Sequence, residues 1–264
     1  GLGNLLVEHD KLISFLICSI DVEKSIGTTN RIFEWARIPE RIEVFVKFDT
    51  EDYNQEQVEN EFKKRVSYND NVKLVFSPKG WGYCDLVKFS EDMVDQSSGE
   101  FVFLMNDWIE SMTLHYDDLV EKYKGKLVWL TINEICDVDG SRQKWHELFD
   151  FPFVHRKWVE VTGKICYSNF PASDLYPLVK YLPEIVKSSG IDVVHFPGHS
   201  PKSDIGAERN PKTGGMCSLI DDEEYRHNKK VLHEGNILYQ HEALKQIDIP
   251  RVKKFLELNP EYKV

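Results

Sequence analysis

The first hundred residues repeat one pattern, in which a short apolar run ends abruptly in polar residues and apolar positions at helical spacing follow. Leu12 to Cys18 is apolar apart from Ser14 and predicts a strand buried on both faces, ending at Ser19. From Val22 to Arg37, Ile26, Ile32, Phe33 and Ala36 fall at roughly helical spacing, and Pro39 closes the segment. Ile42 to Phe48 predicts a second strand, followed by the acidic loop Asp49-Thr50-Glu51-Asp52. Gln55 to Val66 is a polar helix, and Asn71 to Phe76 a third strand. Pro78 to Tyr83 is a rigid, glycine-marked loop, and Leu86 to Val94 a further helix. The stretch from Gly99 to Trp108 organises the rest. A glycine turn leads into five apolar residues, Phe101 to Met105, and polarity switches on at Asn106 and Asp107. Alternating strands and helices of this kind predict an α/β fold: a mostly parallel central sheet with helices on both faces.

Beyond Asp107 the pattern loosens. Tyr116 to Tyr123 reads as a short helix and Lys126 to Ile132 as a strand, whereas Asp137 to Asp150 is polar and reads as a loop or insertion. Phe151 to Trp158 is an aromatic and basic patch leading into Val159 to Gly163. Asp174 to Lys187 predicts a helix and Asp192 to Phe196 a short late strand. Ser200 to Gly215 is basic and glycine-rich, reading as a lid or a disordered segment, and charged helices follow over 223–246 and 252–258. There is no repeat and no linker, so 1–264 reads as a single domain with a regular first part, 1–110, and a less regular second part, 111–264.

Composition narrows the function. The chain is 41% hydrophobic and 29% charged, ordinary for a globular protein. A net charge of -11 lacks the electrostatic footprint of a general nucleic-acid binder, so an anionic ligand needs local cations or a metal. Five dispersed cysteines without a CxxC pair read as free thiols in a reducing compartment. No apolar run reaches membrane-span length and no signal peptide is evident, so a cytoplasmic location is expected. Gly1 without a preceding Met reads as a tag remnant or a processed end.

Polar residues at strand ends carry the chemistry, because open α/β sheets bind ligands at the carboxyl edge. Asp107 there suits a hard divalent cation, or else caps the turn that follows. Asp49 after the second strand, Lys79-Gly80-Trp81-Gly82-Tyr83 after the third and Asn106-Asp107 after the fourth together resemble glycosyltransferases of the GT-A fold, family-2 type. The resemblance runs over roughly residues 12 to 200 and is strongest in the first half. It implies nucleotide-sugar binding by Ser19, Asp49, Lys79, Gly80, Tyr83, Asn106 and Asp107. It also implies a divalent metal, Mn or Mg, on Asp107, with His195 or His199 completing the site and His195 preferred. Asp174 is its general base, or else an ordinary helix N-cap.

The implied reaction is an inverting, metal-assisted transfer from a nucleoside-diphosphate sugar to a carbohydrate or other hydroxyl acceptor. One departure stands out: the metal motif of this family offers two carboxylates, and here Asn106 and Trp108 flank a single Asp107. A degenerate module that binds a nucleotide sugar or a protein partner without turnover is therefore a second reading. A nucleotidyltransferase ranks third, because Ser19 to Thr28 lacks a glycine-rich loop bearing Arg or Lys.

Overall fold

The computed structural model describes residues 9–19, 21–78, 86–105, 107, 109–138, 141–146, 152–166, 175–195 and 241–264. The regular first half follows its sequence pattern closely. Strand β1 (Lys11–Cys18) leads through a three-residue connection into α1 (Val22–Trp35), followed by β2 (Ile42–Asp49), α2 (Gln55–Arg65) and β3 (Val72–Ser77). Then come α3 (Leu86–Gln96) and β4 (Gly99–Met105). Side-chain alternation along the strands divides the core in two. Ile13, Phe15 and Ile17 of β1 and Phe101, Phe103 and Met105 of β4 pack with α1 and α2. Leu16, Val102 and Leu104 pack on the opposite face, with Met93 and Val94 of α3. Helices thus cover both faces, which is why the strands read as unbroken apolar runs.

The second half adds β5 (Ile109–Met112), α4 (Tyr116–Glu121), β6 (Trp129–Val138), β7 (Ser141–His146) and β8 (Phe153–His155). After these come α5 (Arg156–Thr162), α6 (Leu175–Tyr181), β9 (Val186–His195) and α7 (Ile249–Leu258). A single sheet runs in the order β3-β2-β1-β4-β8-β6-β9-β5, with β7 beside β6. Strands β1 to β4 are mutually parallel, and two successive antiparallel pairings through β8 return β6 and β9 to the same direction. The sheet is therefore mostly parallel, and one edge collects the carboxyl ends of β1, β2, β3, β4, β6 and β9.

Three sequence expectations change. The polar stretch after Asp137 holds the end of β6 and all of β7, which form an antiparallel hairpin. The helix expected to reach Lys187 ends at Tyr181, because Pro183 opens a 3-10 turn that feeds β9. That strand starts at Val186, six residues before the expected Asp192.

Gly99 serves close approach more than turning. A Cβ there would meet the backbone of Ser14 and Ile13 at 2.5 and 2.9 Å, and the Gly99 N–H donates to Ser14 Oγ at 2.8 Å. This lets β4 lie tight against β1. Chain order then matters, since β2 and β3 extend one way from β1 and β4 lies on its other side. The crevice between β1 and β4 is the topological switch point, the place where open α/β sheets bind ligands.

Candidate functional site at the switch point

Ser19 follows β1 and Asp107 follows β4, and the two meet across the crevice. The Ser19 hydroxyl donates to Asp107 Oδ2 at 2.6 Å and accepts the Asp21 N–H at 3.2 Å. Burial pushes the Asp107 carboxyl up to about 6, a rise that the bond from Ser19 and the charge of Lys24 partly offset. Thr28 of α1 fixes the backbone at this point. Its buried hydroxyl donates to the Asp107 carbonyl at 2.8 Å and accepts the Ile109 N–H at 3.1 Å. Asp21 caps α1 by accepting the Lys24 N–H at 3.0 Å, so the helix begins beside the crevice.

Asp49 ends β2, one strand over from β1, and is paired with Lys47 two residues earlier on the same face. Tyr53 stands behind this loop, half-buried; burial first, then the charges of Asp21, Asp52, Asp107 and Asp49, push its phenol well above the usual range. The Cys18 thiol is driven up to about 12, mainly by burial. Among the described residues aspartates thus outnumber lysines at this edge, so an anionic ligand here needs a cation to balance them.

Three strands beyond β4, His195 ends β9 opposite Ile109 of β5, which lies two residues from Asp107. Its ring is fully buried, with Nε2 2.7 Å from Glu134 Oε1 on β6. Among the described residues no three His, Cys, Asp or Glu come together as a metal cage. The hard oxygens of Asp107 do suit Mg or Mn in the manner of sites that take one or two carboxylates from protein and the rest from phosphate and water. Asp107 supplies one such ligand, so a divalent cation held here takes the rest of its shell from phosphate and water oxygens.

The structure brings together Ser19, Asp49 and Asp107, and sets His195 on the same sheet edge. Lys79, Gly80, Tyr83, Asn106, Asp174 and His199 lie outside the described residues, as do Trp81, Trp108 and the glycine-rich segment from 200 to 215. Thr28, Lys47, Tyr53 and Glu134 escaped the sequence reading. Tyr53 had a usable signal, an aromatic just past an acidic strand-end loop; Lys47 and Glu134 look like ordinary polar positions within strands.

No protein-family model matches the chain, and no curated protein matches it in sequence. Among solved structures, it is similar to TarS of S. aureus in complex with UDP, at 15% identity over 49% of this chain and 37% of that one, with a TM-score of 0.36. It is similar to the mannosyltransferase PcManGT from Pyrobaculum calidifontis in complex with GDP-Man and Mn2+, at 9% identity over 94% and 79% of the two chains, with a TM-score of 0.49. A third match is 4-diphosphocytidyl-2C-methyl-D-erythritolsynthase from Anaerococcus prevotii, at 14% identity over 75% and 94%, with a TM-score of 0.44. The chain spans little more than a third of the first of these. Glycosyltransferases, the kind of protein the sequence resembles, are thus among the matches, beside a nucleotidyltransferase. At such identities and scores the likeness assigns no activity or residue role.

Proposed function

We propose that the chain transfers a sugar from a nucleoside-diphosphate sugar to an acceptor hydroxyl, with inversion and with a divalent cation on Asp107. The observation that carries this is the meeting of Ser19 and Asp107 where β1 and β4 part, with Asp49 beside them. Neighbouring strands lie about 4.8 Å apart, so Asp49 and Asp107, two strands from each other, are about 10 Å apart in the sheet direction. That is the span of a ribose between base and diphosphate. Asp49 then holds the base and Asp107 the diphosphate end.

The bound cation, Mn or Mg, supplies Lewis-acid stabilisation of the departing diphosphate. The protein's own part is positional. Ser19 orients the Asp107 carboxylate, and Thr28 stops its backbone from drifting. Helix α1 begins beside the crevice with Asp21 as its cap, and its positive dipole end favours a phosphate nearby. His195 is the second protein ligand in this reading, and Glu134 sets its ring orientation as a carboxylate partner does in metal sites. Asp174 takes the proton from the acceptor hydroxyl as oxygen attacks the anomeric carbon from the face opposite the diphosphate. The sugar–oxygen bond forms as the sugar–phosphate bond breaks, which inverts that carbon.

Asp107 flanked by Asn106 and Trp108, in place of a second carboxylate, favours a second reading, a module that binds a nucleotide sugar without turnover. A nucleotidyltransferase is disfavoured, because β1 passes into α1 through residues 19–21 and leaves no room for a long phosphate loop. Release of nucleoside diphosphate from a panel of nucleotide sugars, with and without Mn2+, separates these readings. Turnover is expected with metal, and Asp174→Asn should lower it by about 100-fold or more while nucleotide affinity stays within about threefold. Full activity in that variant removes Asp174 as the base. Binding without turnover on every donor supports the module.

A further inference from the structure

At the sheet edge opposite the switch point, the start of β4 meets the end of β8, with Phe101 paired to His155. Glu100, His155, Lys157, Glu160 and Tyr262 help to line a recess there of about 310 Å3, counted out to its open mouth. His155 is 2% exposed, and its ring stands edge-on to Phe101 and Tyr262, with centroids 5.1 and 6.2 Å away. Nδ1 accepts the Lys157 N–H at 3.0 Å, so the ring proton sits on Nε2. That Nε2 has no hydrogen-bond partner among the described residues, and Glu100 Oε2, at 3.8 Å, is too far for a bond. A buried donor left unpaired is costly, so the position calls for an atom from outside the chain.

The surrounding groups select that atom. A metal ion needs the lone pair of Nε2, which the Lys157 N–H has turned into a donor, and no three metal-binding side chains gather among the described residues. An anion meets two carboxylates, Glu100 and Glu160, against one ammonium, Lys157. His155 adds no charge, because burial first, then the charges of His9, Lys157 and Arg156, push its pKa down to about 3. A hydroxyl fits. Placed about 2.8 Å from both atoms, its oxygen takes the Nε2–H and gives its proton to Glu100 Oε2. Nearer the mouth Lys157 Nζ lies 2.5 Å from Glu160 Oε2, again a donor beside an acceptor and again suited to a hydroxyl. We propose that this recess binds two hydroxyls of a neutral polyol, a sugar or a glycerol chain, one between His155 and Glu100 and one between Lys157 and Glu160. Asp107 lies seven residues beyond Glu100, about 20 Å along β4, so the site is separate from the switch point and does not depend on the transferase reading.

Water also satisfies the inner pair, so the test must show a polyol taking its place. Nitrogen-15 NMR of the His155 imidazole in the full chain reads this directly, with methyl α-glucoside, glycerol, inorganic phosphate and Zn2+ as separate additions. The expected result is a proton on Nε2 whose signal moves saturably with a polyol and stays put with phosphate or Zn2+. The tighter of glucoside and glycerol names the source, and equal affinity means that the hydroxyl pair alone is read. Glu100→Leu should weaken polyol binding by about 10-fold or more, and Glu160→Ala by about threefold. Circular dichroism reports folding; if Glu100→Leu does not fold, the exposed Glu160→Ala decides. A proton on Nδ1, a saturable response to phosphate or Zn2+, or undiminished polyol binding in the folded variants overturns the proposal. No saturable shift with either polyol means that water alone fills the recess, and overturns it as well.

Discussion

Thr28 shows how one hydroxyl on α1 ties that helix to the loop that carries Asp107. It satisfies the carbonyl of Asp107 and the N–H of Ile109 together, and it is fully buried. Thr28→Val keeps the shape and strands both backbone groups, so a loss of about 1–3 kcal/mol in unfolding free energy is expected by urea titration. Nucleotide affinity should fall with it, and Thr28→Ser should restore both. Gly99→Ala is expected to cost about 1–3 kcal/mol, because the new methyl group would press on the Ser14 backbone; a shifted urea midpoint with unchanged slope is the readout. At this scale the site was half legible. Ser19, Asp49 and Asp107 could be read because each marks the abrupt end of an apolar run. Lys47 could not, since a lysine inside a strand ordinarily points to water, and only the fold of β2 against β1 and β3 reveals that it is buried.

Elements are held in register by a polar clamp as well as by the core. Asp117, fully buried on α4, accepts the backbone N–H groups of Arg37 and Ile38 at 2.8 and 3.0 Å and pairs with Arg41 at 2.8 Å. Burial alone would raise its pKa; the two N–H bonds and the Arg41 guanidinium outweigh that and hold it below the usual carboxylate value. A depressed carboxylate adds stability that is present above its unfolded pKa of about 3.8 and is lost as pH falls through the lower folded value. Asp117→Asn should therefore cost about 3–5 kcal/mol near neutral pH, with the deficit shrinking below about pH 4. Thermal melts across pH check this; a deficit that stays constant to pH 2 would contradict it. The regular βα units were legible because their helices bury one stripe and their strands both faces. Strand β5 was not, being four residues long, and the β6–β7 hairpin was hidden by its polar composition. Strand β9 opens with Val-Lys-Ser-Ser-Gly, which has no strand-like alternation, so its start was read six residues late.

The whole molecule is acidic, with 44 Asp and Glu against 33 Lys and Arg, and its candidate site is acidic as well. Without a divalent cation, an approaching diphosphate meets repulsion from both, and salt should relieve it. Metal-free association of UDP is thus expected to speed up as ionic strength rises, which stopped-flow kinetics would record; slowing with salt would place the ligand elsewhere. The proposed function requires the crevice between β1 and β4 to bind a diphosphate through a cation on Asp107. Calorimetric titration of UDP and GDP, each with and without Mn2+, into the wild-type chain and Asp107→Ala tests it most directly. Metal-dependent binding of at least one nucleotide in wild type, lost in folded Asp107→Ala, is the expected result. Equal binding in the two proteins, or binding indifferent to Mn2+, would contradict it.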